Sequence, residues 1–119
     1  MDEPIRATFG TVSGSPSVGT APPYERAGFY LITAPLHLDS YVFTEVLPQL
    51  EELRNGLRQS VTSSSEMVDL QASQTEVVLT EWDLEPPPPC SVPLGAFIDL
   101  LRRWREHVAA VRGTDRAPP

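Results

Sequence analysis

Four consecutive prolines, Pro86–Pro89, decide more about this chain than any other run in it. Each proline ring fixes φ and removes a backbone donor, so neither a helix interior nor a central strand runs through such a quartet. The expected structure is a stiff polyproline II spacer rising ~3 Å per residue. It separates a long upstream part from one closing segment. Thirteen prolines are present in 119 residues, and they also gather at 16–23 and at the C-terminus, so the folded part is shorter than the chain. A chain of this length makes one domain around one modest core.

The closing segment carries the cleanest pattern. Leu94, Phe97, Ile98, Leu101, Trp104, Val108 and Val111 recur at steps of three and four, while Asp99, Arg102, Arg103 and Glu106 fall on the other side. That is an amphipathic helix, with Gly113 as its stop. Burying seven such side chains at ~1.5–3 kcal/mol each makes it the main core helix.

Upstream, Ile5, Ala7 and Phe9 alternate with Arg6 and Thr8, which predicts a strand over 5–12. Residues 13–27 are rich in Ser, Gly, Pro and Thr and read as a mobile loop. Gly28–Ala34 is a β-rich run stopped by Pro35 and reads as a buried strand. A helix capped by Asp39 or Ser40 follows, with Phe43, Val46, Leu47, Leu50, Leu53 and Leu57 as its stripe. Pro48 either kinks this helix or stands in the first turn of one that starts at Leu47. Asn55-Gly56 is its C-terminal signal.

Residues 60–65 read as polar loop. Glu66–Gln71 and Thr75–Leu84 then form a hairpin across Ala72-Ser73-Gln74. The simplest packing buries Val68, Leu70, Val78, Trp82 and Leu84. It leaves Met67, Asp69, Val77, Leu79, Glu81 and Asp83 on the outer face. The predicted order is β-β-α-β-β-α, an α+β fold with a four-stranded antiparallel or mixed sheet and two helices on one face. Residues 1–112 form the single domain, 86–93 a Pro-rich connector, and 113–119 a flexible tail.

The formal net charge is −7, from 16 acids and nine arginines with no lysine. Its position matters more than its size. Between Gln59 and Leu101 stand seven acids and no base; elsewhere nine acids balance nine arginines. Such a chain lacks the basic stripe that displaces phosphate counterions, which argues against nucleic acid as a direct ligand. It also argues against attraction to anionic membranes. No apolar run approaches the ~20 residues of a membrane span. The start, Met-Asp-Glu-Pro, has neither the basic nor the apolar region of a signal peptide, and one cysteine permits no internal disulfide. Cytoplasmic location is the expectation.

Motifs for chemistry are sparse. His37 and His107 have no partner at metal-ligand spacing. His37, at a strand end, reads as a loop histidine with a catalytic role as the rival. His107 reads as a histidine stabilised by a helix end. Cys90 sits in the acidic block, which raises a thiol pKa, and reads as structural. Nucleotide and hydrolase signatures are missing, so no cofactor and no enzymatic activity are expected. Glu81 and Asp83 share a strand face ~6–7 Å apart, a glycosidase-like spacing, but an open sheet face lacks the burial that a catalytic acid needs. Arg102, Arg103 and Arg105 either grip a phosphate or neutralise the acidic hairpin, and the second is preferred.

What remains is a surface of Met67, Asp69, Val77, Leu79, Glu81, Asp83 and Glu85, with apolar groups among carboxylates. The bland reading is a solvated sheet face. The functional one is a docking surface for a basic protein, where charge steers the encounter and buried side chains hold the complex.

Several segments together resemble a known type. They are Phe-Tyr-Leu-Ile-Thr-Ala-Pro-Leu (29–36), a Leu-rich helix ending in Asn-Gly, Glu81-Trp82-Asp83, and the helix from Pro93 to Trp104. Over residues 28–112 the chain resembles the small acidic immunity proteins encoded beside polymorphic and contact-dependent bacterial toxins. The resemblance implies a stoichiometric inhibitor whose partner is a cognate toxin domain, often a basic nuclease. The 66–85 carboxylates would then stand in for substrate phosphates. Two alternatives remain: a structural or adaptor protein that self-associates as a homodimer, and a small-molecule binder or small enzyme around His37, Tyr30 and Tyr41.

Overall fold

The computed structural model describes residues 4–33, 45–64, 68–82, 85 and 88–115. The fold is mixed α+β. In chain order the elements are β1 (Ala7–Val12), β2 (Ser15–Thr20), α1 (Glu25–Thr33), α2 (Leu47–Arg54), β3 (Val61–Ser64), β4 (Val68–Ala72), β5 (Glu76–Glu81), β6 (Cys90–Pro93) and α3 (Leu94–Asp115). Among the described residues the order therefore differs from β-β-α-β-β-α, with three helices where two were expected.

The four-stranded sheet is antiparallel throughout, in the order β3-β4-β5-β6, and β1 pairs with β2 in a separate ribbon. β1 lies within the strand expected over 5–12, whereas the turn and β2 occupy part of the stretch 13–27 read as loop. Ser13 (φ 52°) and Gly14 (φ 83°) make the two-residue turn, with Val12 opposite Ser15. Positive φ at both central residues matches the twist of the two strands, and Gly14 takes it without a Cβ clash.

Gly28–Ala34 was expected as a strand; the described part of it belongs to α1. Short apolar runs fit either period. Here tertiary packing selects the helical one, because Ala27, Tyr30 and Leu31 are all buried on one side while Ile32 is exposed. A strand would have split Tyr30 from Leu31. Gly28 lets α1 approach β2: its N–H donates to Thr20 Oγ1 at 3.0 Å, and a Cβ there would stand 2.9 Å from the same oxygen.

Pro48 stands in the first turn of α2. The expected cap at Asp39 or Ser40, with Phe43, lies outside the described residues. Leu47, Leu50 and Leu53 are buried. Gly56 (φ +80°) ends the helix as expected, and the N–H of Gly56 reaches Leu53 O at 3.2 Å. Leu57, counted in the stripe, lies past this stop and is exposed.

Two further stretches change class. Residues 61–64 of the expected polar loop form edge strand β3, and the end of the Pro-rich connector forms edge strand β6. Pro93 is tolerated there because it closes an outer strand. Helix α3 keeps its predicted stripe but runs through Gly113 to Asp115.

One apolar core joins these parts. Val68, Leu70, Ala72, Val77, Leu79 and Val92 form its sheet side. α1 and α3 pack on this face, α2 lies on α3 and β3, and the ribbon closes over α1 and α3. Among the described residues no helix is long and apolar enough to cross a membrane.

Candidate functional site: the outer face of the sheet

Register decides which side chains are available. Ser73 N–H donates to Glu76 O at 2.8 Å, closing the hairpin turn so that Ala72 faces Val77, Leu70 faces Leu79 and Val68 faces Glu81. Directly opposed residues of an antiparallel pair share a face. Val77 and Leu79, both at 0% exposure, therefore join Val68 and Leu70 in the core, and Trp82 is 53% exposed. This reverses the expectation for β5, which buried Val78, Trp82 and Leu84. The grouping by alternation was correct, but the wrong group was sent inward. A shift of one residue moves every side chain of a strand to the other face.

The expected docking set consequently divides. Val77 and Leu79 are core residues and offer nothing to a partner in the folded chain. Glu81 shares their face, where its Oε1 lies 3.0 Å from Arg26 Nε of α1. The same guanidinium donates to Leu79 O (3.1 Å) and Pro88 O (2.6 Å), tying α1, β5 and the proline segment together. Asp69 stands on the outer face as predicted and accepts a hydrogen bond from Ser64 Oγ at 2.6 Å. Glu85 is exposed. Met67 and Asp83 lie outside the described residues, as does Leu84.

The outer face is made instead by Thr62 and Ser64 of β3, Asp69 and Gln71 of β4, Glu76, Val78 and Thr80 of β5, and Ser91 of β6. Glu76 accepts from Ser91 Oγ across the β5–β6 pair. None of the chain's arginines stands on any strand of this sheet. Two open hollows adjoin at the Thr62–Gln71 pair. One, of about 420 Å³, includes Ser64 and Asp69; the other, of about 290 Å³, includes Glu76 and Val78. Reading the sequence missed Glu76, Val78 and Trp82. The residues carried no local signal for this, because a turn one residue shorter would put Asp69 and Glu76 on opposite faces.

The remaining candidates are placed elsewhere. His107 is not at a helix end. It lies within α3 under the ribbon, where its Nε2–H donates to Gly10 O at 2.7 Å and its ring meets Phe9 and Trp104. Tyr30 is buried against Phe97, and its hydroxyl shares a hydrogen bond with Ser63 Oγ. His37 and Tyr41, its expected neighbours in a pocket, lie outside the described residues. Cys90 is half-buried, and its Sγ donates to Pro23 O at 3.4 Å. Burial pushes its thiol pKa up; Arg26 opposes this by its charge and Glu25 reinforces it.

Among the described residues no ion pair joins Arg102, Arg103 or Arg105 to the hairpin. Arg102 pairs with Glu51 of α2 at 3.3 Å. Arg103 lies 2.9 Å from Asp99 one turn earlier and donates through Nη2 to Ile5 O. Its Nε–H does not point along the line to Asp99, so that contact is an ion pair without a hydrogen bond. Among the described residues no group of three or more His, Cys, Asp or Glu side chains could hold a metal ion.

Comparison with protein-family models, curated proteins and solved structures finds no match to this chain.

Proposed function

We propose that the chain is a non-catalytic binding protein of the immunity type, which engages a basic toxin domain through the outer face of the β3–β6 sheet. The observation that supports this reading is the charge of that face: it carries Asp69 and Glu76 and not one arginine. Its other groups are hydroxyls, an amide and the half-buried Val78, so it is wet at the rim and able to bury some apolar area. Trp82, exposed just beyond β5, adds the kind of large flat anchor that dominates interface energies.

Asp69 and Glu76 replace the set Asp69, Glu81 and Asp83 as phosphate surrogates, because Glu81 is already satisfied by Arg26. An acid-only face raises the rate of encounter with a basic protein and slows escape once the charges are partly desolvated. The cytoplasm is the compartment in which such an inhibitor would meet a nuclease.

Co-purification with the product of the gene directly upstream tests the reading. Capture is expected with the natural chain. Changing Asp69→Lys and Glu76→Lys together should weaken it at least ten-fold, since like charge is then placed against a basic surface. Failure to bind, or binding that ignores the double change, overturns it.

A further inference from the structure

Asp69 and Glu76 are placed so as to select the shape of what binds them. Asp69 faces Thr80 across the β4–β5 pair, and Glu76 stands four residues from Thr80 on the same strand. At ~3.3 Å per residue the two acids are offset by ~13 Å along the strands and by one strand spacing sideways. Between them lie the two hollows that meet at Thr62 and Gln71, one holding each acid. Each carboxylate already accepts one serine hydroxyl, from Ser64 and from Ser91. A carboxylate has roughly four acceptor positions, so each can take a further donor.

We propose that this groove receives an extended segment of the partner protein carrying two basic residues four positions apart, one for Asp69 and one for Glu76. This rests on the reading that the outer face binds a basic protein. The spacing argues for an extended chain. In a strand, residues i and i+4 point the same way and stand ~13 Å apart. In a helix the same distance takes about nine residues, which turns the second side chain to the opposite face. The lateral offset of one strand is within reach of a lysine or arginine stem.

A second copy of this chain is a poorer occupant. It has no lysine. Two arginine pairs have the right spacing, Arg54 with Arg58 and Arg112 with Arg116, but Arg54 stands on the last turn of α2, Arg58 is paired with Glu52 at 3.0 Å, and Arg112 belongs to helix α3, so neither pair is carried by a strand.

The test titrates the isotope-labelled full chain by NMR with two nine-residue peptides of identical Thr/Val/Lys composition. In one the two lysines are at i and i+4; in the other they are at i and i+3 and point to opposite faces. The first should bind about three- to five-fold tighter, the worth of one well-placed exposed ion pair. Its shifts should centre on the amides of Thr62, Gln71 and Val78. A variant with Asp69→Asn and Glu76→Gln should lose the preference while its spectrum elsewhere stays unchanged. Equal affinities, no binding at millimolar peptide, or a preference that survives the variant overturns the proposal. If co-purification still depends on Asp69 and Glu76 when the peptides show no preference, the groove geometry falls and the face remains. If co-purification ignores both acids, the two fall together.

Discussion

Arg26 and Glu81 are fifty-five positions apart in the chain and 3.0 Å apart in the fold. The pair joins the first helix to the end of β5, and Arg26 extends it to the carbonyls of Leu79 and Pro88. The Arg26 side chain is 10% exposed, against 30% for Glu81, so screening is partial. Arg26→Ala leaves three acceptors without their donor and should cost about 2–3 kcal/mol, below the range for fully buried pairs. Glu81→Gln keeps the shape and should cost about 1 kcal/mol. Urea denaturation of both variants measures this, and equal losses would mean that the two carbonyl bonds contribute nothing.

Gly28→Ala ought to stabilise an ordinary helix interior by up to about 1 kcal/mol. Here the new Cβ meets Thr20 Oγ1 at 2.9 Å, Thr20 N at 3.2 Å and Val18 O at 3.3 Å. Two of those three atoms are backbone and cannot swing aside, so α1 must lift off β2. A net loss of about 1–2 kcal/mol is expected, read as a lowered melting temperature. A raised one would mean that the helix and ribbon are not so closely packed in solution.

The faces of β5 can be checked by truncation. Leu79→Ala should cost about 2–5 kcal/mol by opening a cavity, and Val78→Ala less than about 1 kcal/mol because its site borders solvent. If Val78→Ala proves the costlier, the strand has the opposite face inward and the outer-face site is wrong.

Cys90 should react slowly with alkylating reagents. Burial raises its thiol pKa above the ordinary 9.0, so the folded chain holds less thiolate than the unfolded chain at the same pH. The sign for stability follows: the folded state favours the protonated thiol, so this contribution is complete below the unfolded pKa and is lost as pH rises through the folded one. Alkylation at pH 8 with and without denaturant measures the difference, which should shrink above pH 9.0. Arg26→Ala should slow the folded reaction further, because the charge of Arg26 is what lowers the pKa.

How much was legible in the residues differs from segment to segment. Helix α3 could be read directly, because a seven-residue apolar stripe allows only one period, and its proline-bounded start was equally plain. The Asn55-Gly56 stop was local too, since it depends on a positive φ that glycine supplies. The run at 28–33 was not legible. Phe, Tyr, Leu, Ile and Thr favour strand, yet Ala27, Tyr30 and Leu31 find their burial only as a helix, on surfaces supplied by β2, β4 and β5. β3, with the sequence Val-Thr-Ser-Ser, had no pattern of its own and is a strand because β4 pairs with it.

By itself the sequence determined the chemistry of the candidate face: an arginine-free stretch rich in acids, cut by prolines and closed by a core helix. Those properties are local and follow from residue type and spacing. Only the tertiary structure decided which acids face outward. A strand's two faces differ by a single residue of register, and that register was set by a hydrogen bond across the Ser73–Glu76 turn. It took Val77 and Leu79 into the core, gave Glu81 to Arg26, and left Asp69 and Glu76 on the open side.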